Sequence, residues 1–139
     1  MIVLDTNVYS ELKGRTYSDH LLRWLDGLPI TTVYLTIIPV AETHFGSALL
    51  PEGVRKAKLL ETYAVLEEEF SERILPFSTG AAQLYGIIAA PRHLAGRQIE
   101  TKDAMIAAIC LTHGATLATR NTKDFWGLDL RLVNPFEGA

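Results

Sequence analysis

Cysteine, long apolar runs and surplus positive charge are all scarce in this sequence, and each scarcity excludes something. Cys110 is the one cysteine, so no disulfide can close within the chain, which suits a reducing compartment. Two long uncharged runs, Leu28 to Ala41 and Ala104 to Thr119, are interrupted by Pro, Thr, His or Gly. Neither offers the roughly 20 apolar residues that a membrane helix needs. The opening Met1-Ile2-Val3-Leu4-Asp5 has no basic stretch ahead of an apolar one, and so no secretory signal. These observations predict a cytoplasmic protein without a membrane span. The 13 Lys and Arg against 16 Asp and Glu leave a formal net charge of −3, unlike the basic balance common in nucleic-acid binders. Repeats, low-complexity tracts and linker-like stretches are also missing. A chain of 139 residues with ordinary globular composition then predicts one domain over residues 1–139.

What is present is an alternation of strand and helix patterns. Ile2 to Leu4 reads as a short buried strand, and Asp5-Thr6-Asn7 can cap a helical turn behind it. Ser18 or Asp19 can cap a helix carrying Leu21, Leu22, Trp24, Leu25 and Leu28. Val33 to Ile37 is β-branched and aromatic, a second strand. Pro39 suits the first turn of the next helix, which Pro51 stops. Glu52 to Phe70 has apolar residues at spacings of three and four. Arg73 to Phe77 predicts a third strand, and Ser78 or Thr79 opens a helix ending near Pro91. Thr101 caps a helix over Lys102 to His113, with Gly114 in the left-handed position beyond it. Ala115 to Thr119 and Leu130 to Val133 complete the strands. The pattern predicts an α/β sandwich with helices covering a mainly parallel sheet of four or five strands.

Ligands of open parallel sheets sit at the carboxyl ends of strands, beside a reversal of strand order. Four acids fall near such positions. Asp5 follows the first strand, and Glu42 lies a turn into the helix after the second. Asp103 is in the first turn of a late helix, and Asp124 is in the loop after the Ala115–Thr119 strand. Taken singly, each has a plain structural reading. Asp5 can be a helix cap, Glu42 a solvent-facing acid, Asp103 a favourable charge at a helix N-terminus and Asp124 a loop residue. Together they would repel and raise one another's pKa values unless a cation compensated. All-oxygen donors suit Mg²⁺ or Mn²⁺. Such ions acidify water and offset charge on a phosphoryl centre, and two of them about 3.5–4 Å apart clamp attacking and leaving oxygens. Phosphodiester hydrolysis is the chemistry implied.

Four segments also carry a resemblance. They are Ile2-Val3-Leu4-Asp5-Thr6-Asn7, Val40-Ala41-Glu42, Thr101-Lys102-Asp103-Ala104-Met105-Ile106-Ala107-Ala108 and Leu117-Ala118-Thr119-Arg120-Asn121-Thr122-Lys123-Asp124-Phe125. In that order, over essentially the whole chain, they resemble the PIN-domain toxins of the VapC family. With the Asn134-Pro135 tail, they are most similar to its FitB-like branch. The resemblance implies a PIN-like three-layer α/β/α sandwich and a metal-dependent endoribonuclease whose catalytic acids are Asp5, Glu42, Asp103 and Asp124. It implies that Asp5, Glu42 and Asp103 bind metal, that Asn7 holds Asp5 and that Thr119 supports the site. The fourth acidic position falls to either Asn121 or Asp124, because some members have Asp where Asn121 stands. A neutral amide there implies one firm metal site and a weaker second one. Single-stranded or structured RNA, tRNA included, is the implied substrate. A co-encoded antitoxin and a homodimer are the implied partners. An antitoxin Arg inserted among the carboxylates would pair with them and displace metal.

The basic residues cluster around the same motifs. Arg92, Arg97 and Lys102 precede Asp103, while Arg120 and Lys123 bracket the fourth acidic position. In the predicted fold they rim an acidic crevice, where Arg97, Lys102, Arg120 and Lys123 would hold RNA phosphates despite the net negative charge. The bland alternative for any one of them is solvated surface charge.

Three other readings compete. An aspartyl phosphotransfer protein also places Asp after a parallel strand, but a dehalogenase-type site wants a second Asp where Asn7 stands. Receiver features, an acidic pair near the first strand and a Lys after a late strand, are not evident. Zinc held by Cys110 and His113, with His44, has half of a ligand motif and no matching half. A catalytically inactive PIN-fold binding module draws its support from Asn121, and retention of Asp5, Glu42 and Asp103 opposes it.

Overall fold

A computed structural model describes residues 1–13 and 18–137. Five strands form one parallel sheet: β1 (Ile2–Leu4), β2 (Val33–Thr36), β3 (Ile74–Leu75), β4 (Thr116–Ala118) and β5 (Arg131–Val133). Their spatial order is β3-β2-β1-β4-β5. The chain builds outward from β1 to β3, then returns to β1's other side for β4 and β5. The order therefore reverses between β1 and β4, which opens a crevice beyond their carboxyl ends.

Period-two alternation separates two cores. On one face, Val3 and Leu117 pack with Ala104, Ala107, Ala108 and Ile109 of α6 (Thr101–His113) and Ala81 and Ile88 of α5 (Thr79–Leu94). On the other, Leu4, Ala118, Val33 and Leu35 pack with Val8 and Tyr9 of α1 (Thr6–Tyr9), Leu21 of α2 (Asp19–Asp26) and Tyr63 of α4 (Val54–Glu69). The short residues Ala104, Ala107 and Ala108 let α6 lie close to the sheet. The result is the expected α/β/α sandwich, with α3 (Ile37–Ala48) leading from β2 toward α4.

Local chemistry explains the helix starts. The Ser18 hydroxyl accepts from Leu21 N and the Ser78 hydroxyl from Ala81 N, each satisfying a first-turn amide. Thr36 does the same for Ile38 N, so the second strand stops at Thr36 and Ile37 is already helical. Gly114 closes α6 at φ 62, where a side chain would be strained.

Two expectations need correction. The helix opened by Ser78 does not end near Pro91 but continues to Leu94 with Pro91 inside it. Proline removes one intrahelical bond, to the carbonyl of Ile87, and Ile87 is largely solvent-exposed. The later turn is still closed by Ala95 N donating to the Pro91 carbonyl at 3.0 Å. Thr101 is also not the cap of α6. The helix begins one residue earlier, Ala104 N donating to the Glu100 carbonyl, and Glu100 contributes no side-chain cap.

Candidate functional site

Register fixes the centre of the site. Leu4 lies opposite Ala118 as the last pair of β1 and β4, so Asp5 and Thr119 emerge side by side at the switch in strand order. Asp5 caps α1 through Oδ1, which accepts from Thr6 N at 2.8 Å. Its Oδ2 accepts from the Thr119 hydroxyl at 2.7 Å and from Asn7 Nδ2 at 3.3 Å. Thr119 in turn accepts from Asn7 Nδ2 at 3.2 Å and from Asn121 N at 3.1 Å. Asn7 Oδ1 accepts from Arg120 N at 3.1 Å. Thr119 is fully buried and Asp5 is 4% exposed. The cap role suggested for Asp5 is therefore real, and the same carboxylate also faces the crevice.

The crevice holds about 820 Å³ and is lined by Asp5, Glu42, Asp103 and Asp124 together with Asn7 and Asn121. Glu42 reaches it from the second turn of α3, with Oε1 accepting from the Thr6 hydroxyl at 2.7 Å. Its Oε2 is 3.7 Å from Lys102 Nζ. Asp103 lies in the first turn of α6, where the helix dipole would favour its charge. Burial, followed by the charges of Asp5, Glu100, Asp124 and Glu42, outweighs that and pushes its carboxyl up to about 6. Burial also raises Asp5, with Glu42 and Asp124 adding to the rise and the Thr119 and Thr6 hydrogen bonds opposing it.

The four acids predicted from sequence thus share one cleft, and the charge of Asp124 reaches both Asp5 and Asp103. Arg97, Lys102 and Lys123 also line it. Arg120 is not among the lining residues. Its guanidinium sits 3.9 Å over the Phe136 ring and 3.7 Å from Glu11. Arg92 lines the cleft but is engaged, donating to the backbone carbonyls of Asp124 (2.9 Å) and Trp126.

Five lining residues, Thr6, Gln98, Ile99, Glu100 and Trp126, escaped the sequence reading. Thr6 orients Glu42, although its place beside Asp5 suggested only a cap. Glu100 adds a fifth nearby charge, and Trp126 stands at the rim. The proposed zinc set does not assemble. Cys110 is fully buried with its thiol pushed up to about 12, and His44 pairs with Glu67.

Among the described residues, no three His, Cys, Asp or Glu side chains converge closely enough to enclose an ion as they stand. The donor chemistry nevertheless fits Mg²⁺ or Mn²⁺. Mg²⁺ keeps several waters and usually takes one or two protein carboxylates, so an open all-oxygen cleft suits it better than a closed cage. Asp5, Glu42 and Asp103, with Asp124 lining the same cleft, are the residues that would hold it.

The fold and site define an α/β protein with an acid-lined ligand crevice at the switch point of a parallel sheet. The chain belongs to the PIN-domain family, whose model matches residues 2–125. It is 42% identical over 138 residues to the plasmid stability protein StbB of Pseudomonas syringae pv. tomato, covering 99% of both chains. It is 39% identical to the VapC ribonuclease Y4jK of Sinorhizobium fredii, covering 100% of both. It is also 39% identical to the toxin FitB of Neisseria gonorrhoeae, covering 98% of this chain and 99% of that one. The crystal structure of FitAcB from Neisseria gonorrhoeae superposes with a TM-score of 0.90 at 38% identity, covering 99% of this chain and 100% of that one.

Proposed function

We propose that this protein is a divalent-metal-dependent endoribonuclease acting as the toxin of a toxin–antitoxin pair. The observation that carries the reading is the convergence of Asp5, Glu42, Asp103 and Asp124 on one cleft, with Asp103 raised to about 6 by burial and the other acids. Relatives named as a VapC ribonuclease and as a toxin, alike over their full lengths, support the same reading.

Asp5, Glu42 and Asp103 hold Mg²⁺ or Mn²⁺, and Asp124 rather than the neutral Asn121 supplies the fourth charge. When bound, the ion supplies positive charge against the phosphoryl oxygens and acidifies water. Thr119 and Asn7 fix the Asp5 carboxylate, and Thr6 fixes Glu42, so the acids are oriented before RNA arrives. Arg97, Lys102 and Lys123 hold the phosphate backbone at the cleft wall. A cognate antitoxin would inhibit by inserting a cationic side chain among the same carboxylates, a place where Lys102 already approaches Glu42. The exposed apolar side chains of Phe45, Leu49 and Val54 suit a homodimer contact. Among the described residues no helix is long and apolar enough to cross a membrane.

The test is cleavage of a mixed tRNA and mRNA pool by purified protein, with Mg²⁺ or Mn²⁺ and with chelator. Asp5→Asn and Asp103→Asn proteins, prepared identically, control for contaminating nuclease. Metal-dependent cutting lost in both variants is expected. Equal cutting by all three would trace the activity to a contaminant. Absence of both cutting and metal binding would favour an inert binding module.

A further inference from the structure

Trp126 is 67% exposed, although tryptophan is among the most buried residue types on average. It lines the acidic cleft, and its backbone is held on both its N–H and its carbonyl. Phe125, its neighbour, is fully buried in the core beneath α5 and α6. Trp126 N donates to the Lys123 carbonyl at 3.3 Å, and Arg92 of α5 grips the carbonyls of both Asp124 and Trp126. Gly127 follows at φ 87, a left-handed conformation that turns the chain away immediately after the indole. An arginine, a buried aromatic neighbour and a glycine turn thus hold the backbone that carries one large, exposed aromatic side chain, in a cleft that Arg97 and Lys123 also line.

We infer that Trp126 is a base-stacking platform for the single-stranded RNA substrate, positioning one unpaired nucleotide next to the scissile phosphate. The inference rests on the ribonuclease reading and specifies how substrate is seated. Cations alone track a backbone wherever it lies, whereas a rigid π face fixes a base along the strand while accepting any base identity. Arg92 then serves as a positioning residue: its two carbonyl contacts set the height of the platform and leave phosphate binding to Arg97, Lys102 and Lys123.

The test is fluorescence anisotropy of the full chain with a labelled single-stranded decaribonucleotide. Ca²⁺ replaces Mg²⁺, and the probe is checked for integrity. Trp126→Ala should weaken binding about 5- to 160-fold, matching about 1–3 kcal/mol for a base–aromatic stack. Trp126→Phe should recover most of the loss. The dependence of affinity on salt should stay as in the wild type, because no phosphate contact is removed. An abasic oligonucleotide of equal length should bind the wild type and Trp126→Ala alike. Arg92→Lys, which keeps the charge but not the two-carbonyl grip, should weaken binding of the normal probe and spare the abasic one. Equal affinity of wild type and Trp126→Ala for the normal probe would overturn the platform alone. If that variant also lost self-association by sedimentation, Trp126 would instead face a second copy of the chain. No RNA binding by the wild type would overturn the ribonuclease reading and the platform with it.

Discussion

The Thr119 hydroxyl donates to Asp5 Oδ2 at 2.7 Å, joining the carboxyl ends of two neighbouring strands across 114 residues of sequence. The same hydroxyl accepts from Asn7 Nδ2 and Asn121 N, so its donor and both lone pairs are used. Thr119→Val keeps the shape and removes all three bonds. It should lower metal affinity and cleavage about 10- to 100-fold, the usual effect of losing a partner behind a ligand. Without the donor, the Asp5 carboxyl rises further, so the deficit should deepen as pH falls. Calorimetric titration with Mn²⁺ at two pH values checks both points. Thr119→Ser, which keeps the hydroxyl, should retain most of the affinity.

Asp103 sets a pH signature. Its folded pKa, about 6, lies above the ordinary 3.8, so between those values the folded chain holds more protons than the unfolded one. Stability without metal therefore falls as pH rises from about 4 to 6 and stays lower above that. Asp103→Asn removes the buried charge. At pH 7 in chelator it should stabilise the fold by on the order of 2 kcal/mol, after discounting for partial exposure. The measurement is Tm across pH, with the variant's curve flatter in that window. Added Mg²⁺ should raise the Tm of the wild type and not of the variant. A Tm for Asp103→Asn at or below that of the wild type in chelator would refute the charge-crowding account of the cleft.

Strand and helix placement was legible because it depends on local pattern. Val3 and Leu4 alternate between faces, Ser18 and Ser78 each cap an amide three residues on, and Gly114 turns left-handed directly after its helix. Three of the four acids were legible because each sits at a strand end or in a first or second helical turn, and Asp124 because it lies in the short 3-10 turn Thr122–Phe125 that follows β4. What escaped depends on distant partners. Nothing near Arg120 or Arg92 in sequence says that the first lies over Phe136 while the second reaches two carbonyls more than 30 residues away. Thr6 likewise owes its role to Glu42, on another helix. Pro91 misled because proline disfavours a helix interior locally, while the packing of α5 on α6 carries the helix through.

Tyr9 offers a stability test away from the cleft. Its ring is fully buried against Tyr63 and Phe70, with centroids 5.9 and 6.3 Å away. Its hydroxyl finds no hydrogen-bond partner among the described residues, and burial pushes its pKa to about 12. A buried hydroxyl without a partner costs about 1–3 kcal/mol. Tyr9→Phe should thus be neutral or stabilising by about 1 kcal/mol, a rise in Tm of about 3 °C. Tyr9→Ala should cost about 3–5 kcal/mol through lost packing. A clear loss of stability in the phenylalanine variant, read by urea unfolding, would mean that the hydroxyl is satisfied in solution.

Arg120 and Lys123 stand three residues apart, and sequence alone gave them the same task. Their surroundings now separate them. Lys123 lines the cleft beside Asp124, whereas the Arg120 guanidinium is stacked over Phe136 and paired with Glu11. Lys123→Ala should weaken binding of a single-stranded RNA probe and shift the slope of log affinity against log salt by about 0.7, the value for one phosphate contact. Arg120→Ala should leave both the affinity and the slope near wild type. Its effect should be on the fold, about 1 kcal/mol from an exposed cation–π contact and a surface ion pair. Binding isotherms at three salt concentrations and a urea melt distinguish the two residues. A reduced salt slope for Arg120→Ala would mean that the guanidinium leaves Phe136 for a phosphate when RNA binds, and that the Phe136 stack is a resting position rather than a structural one.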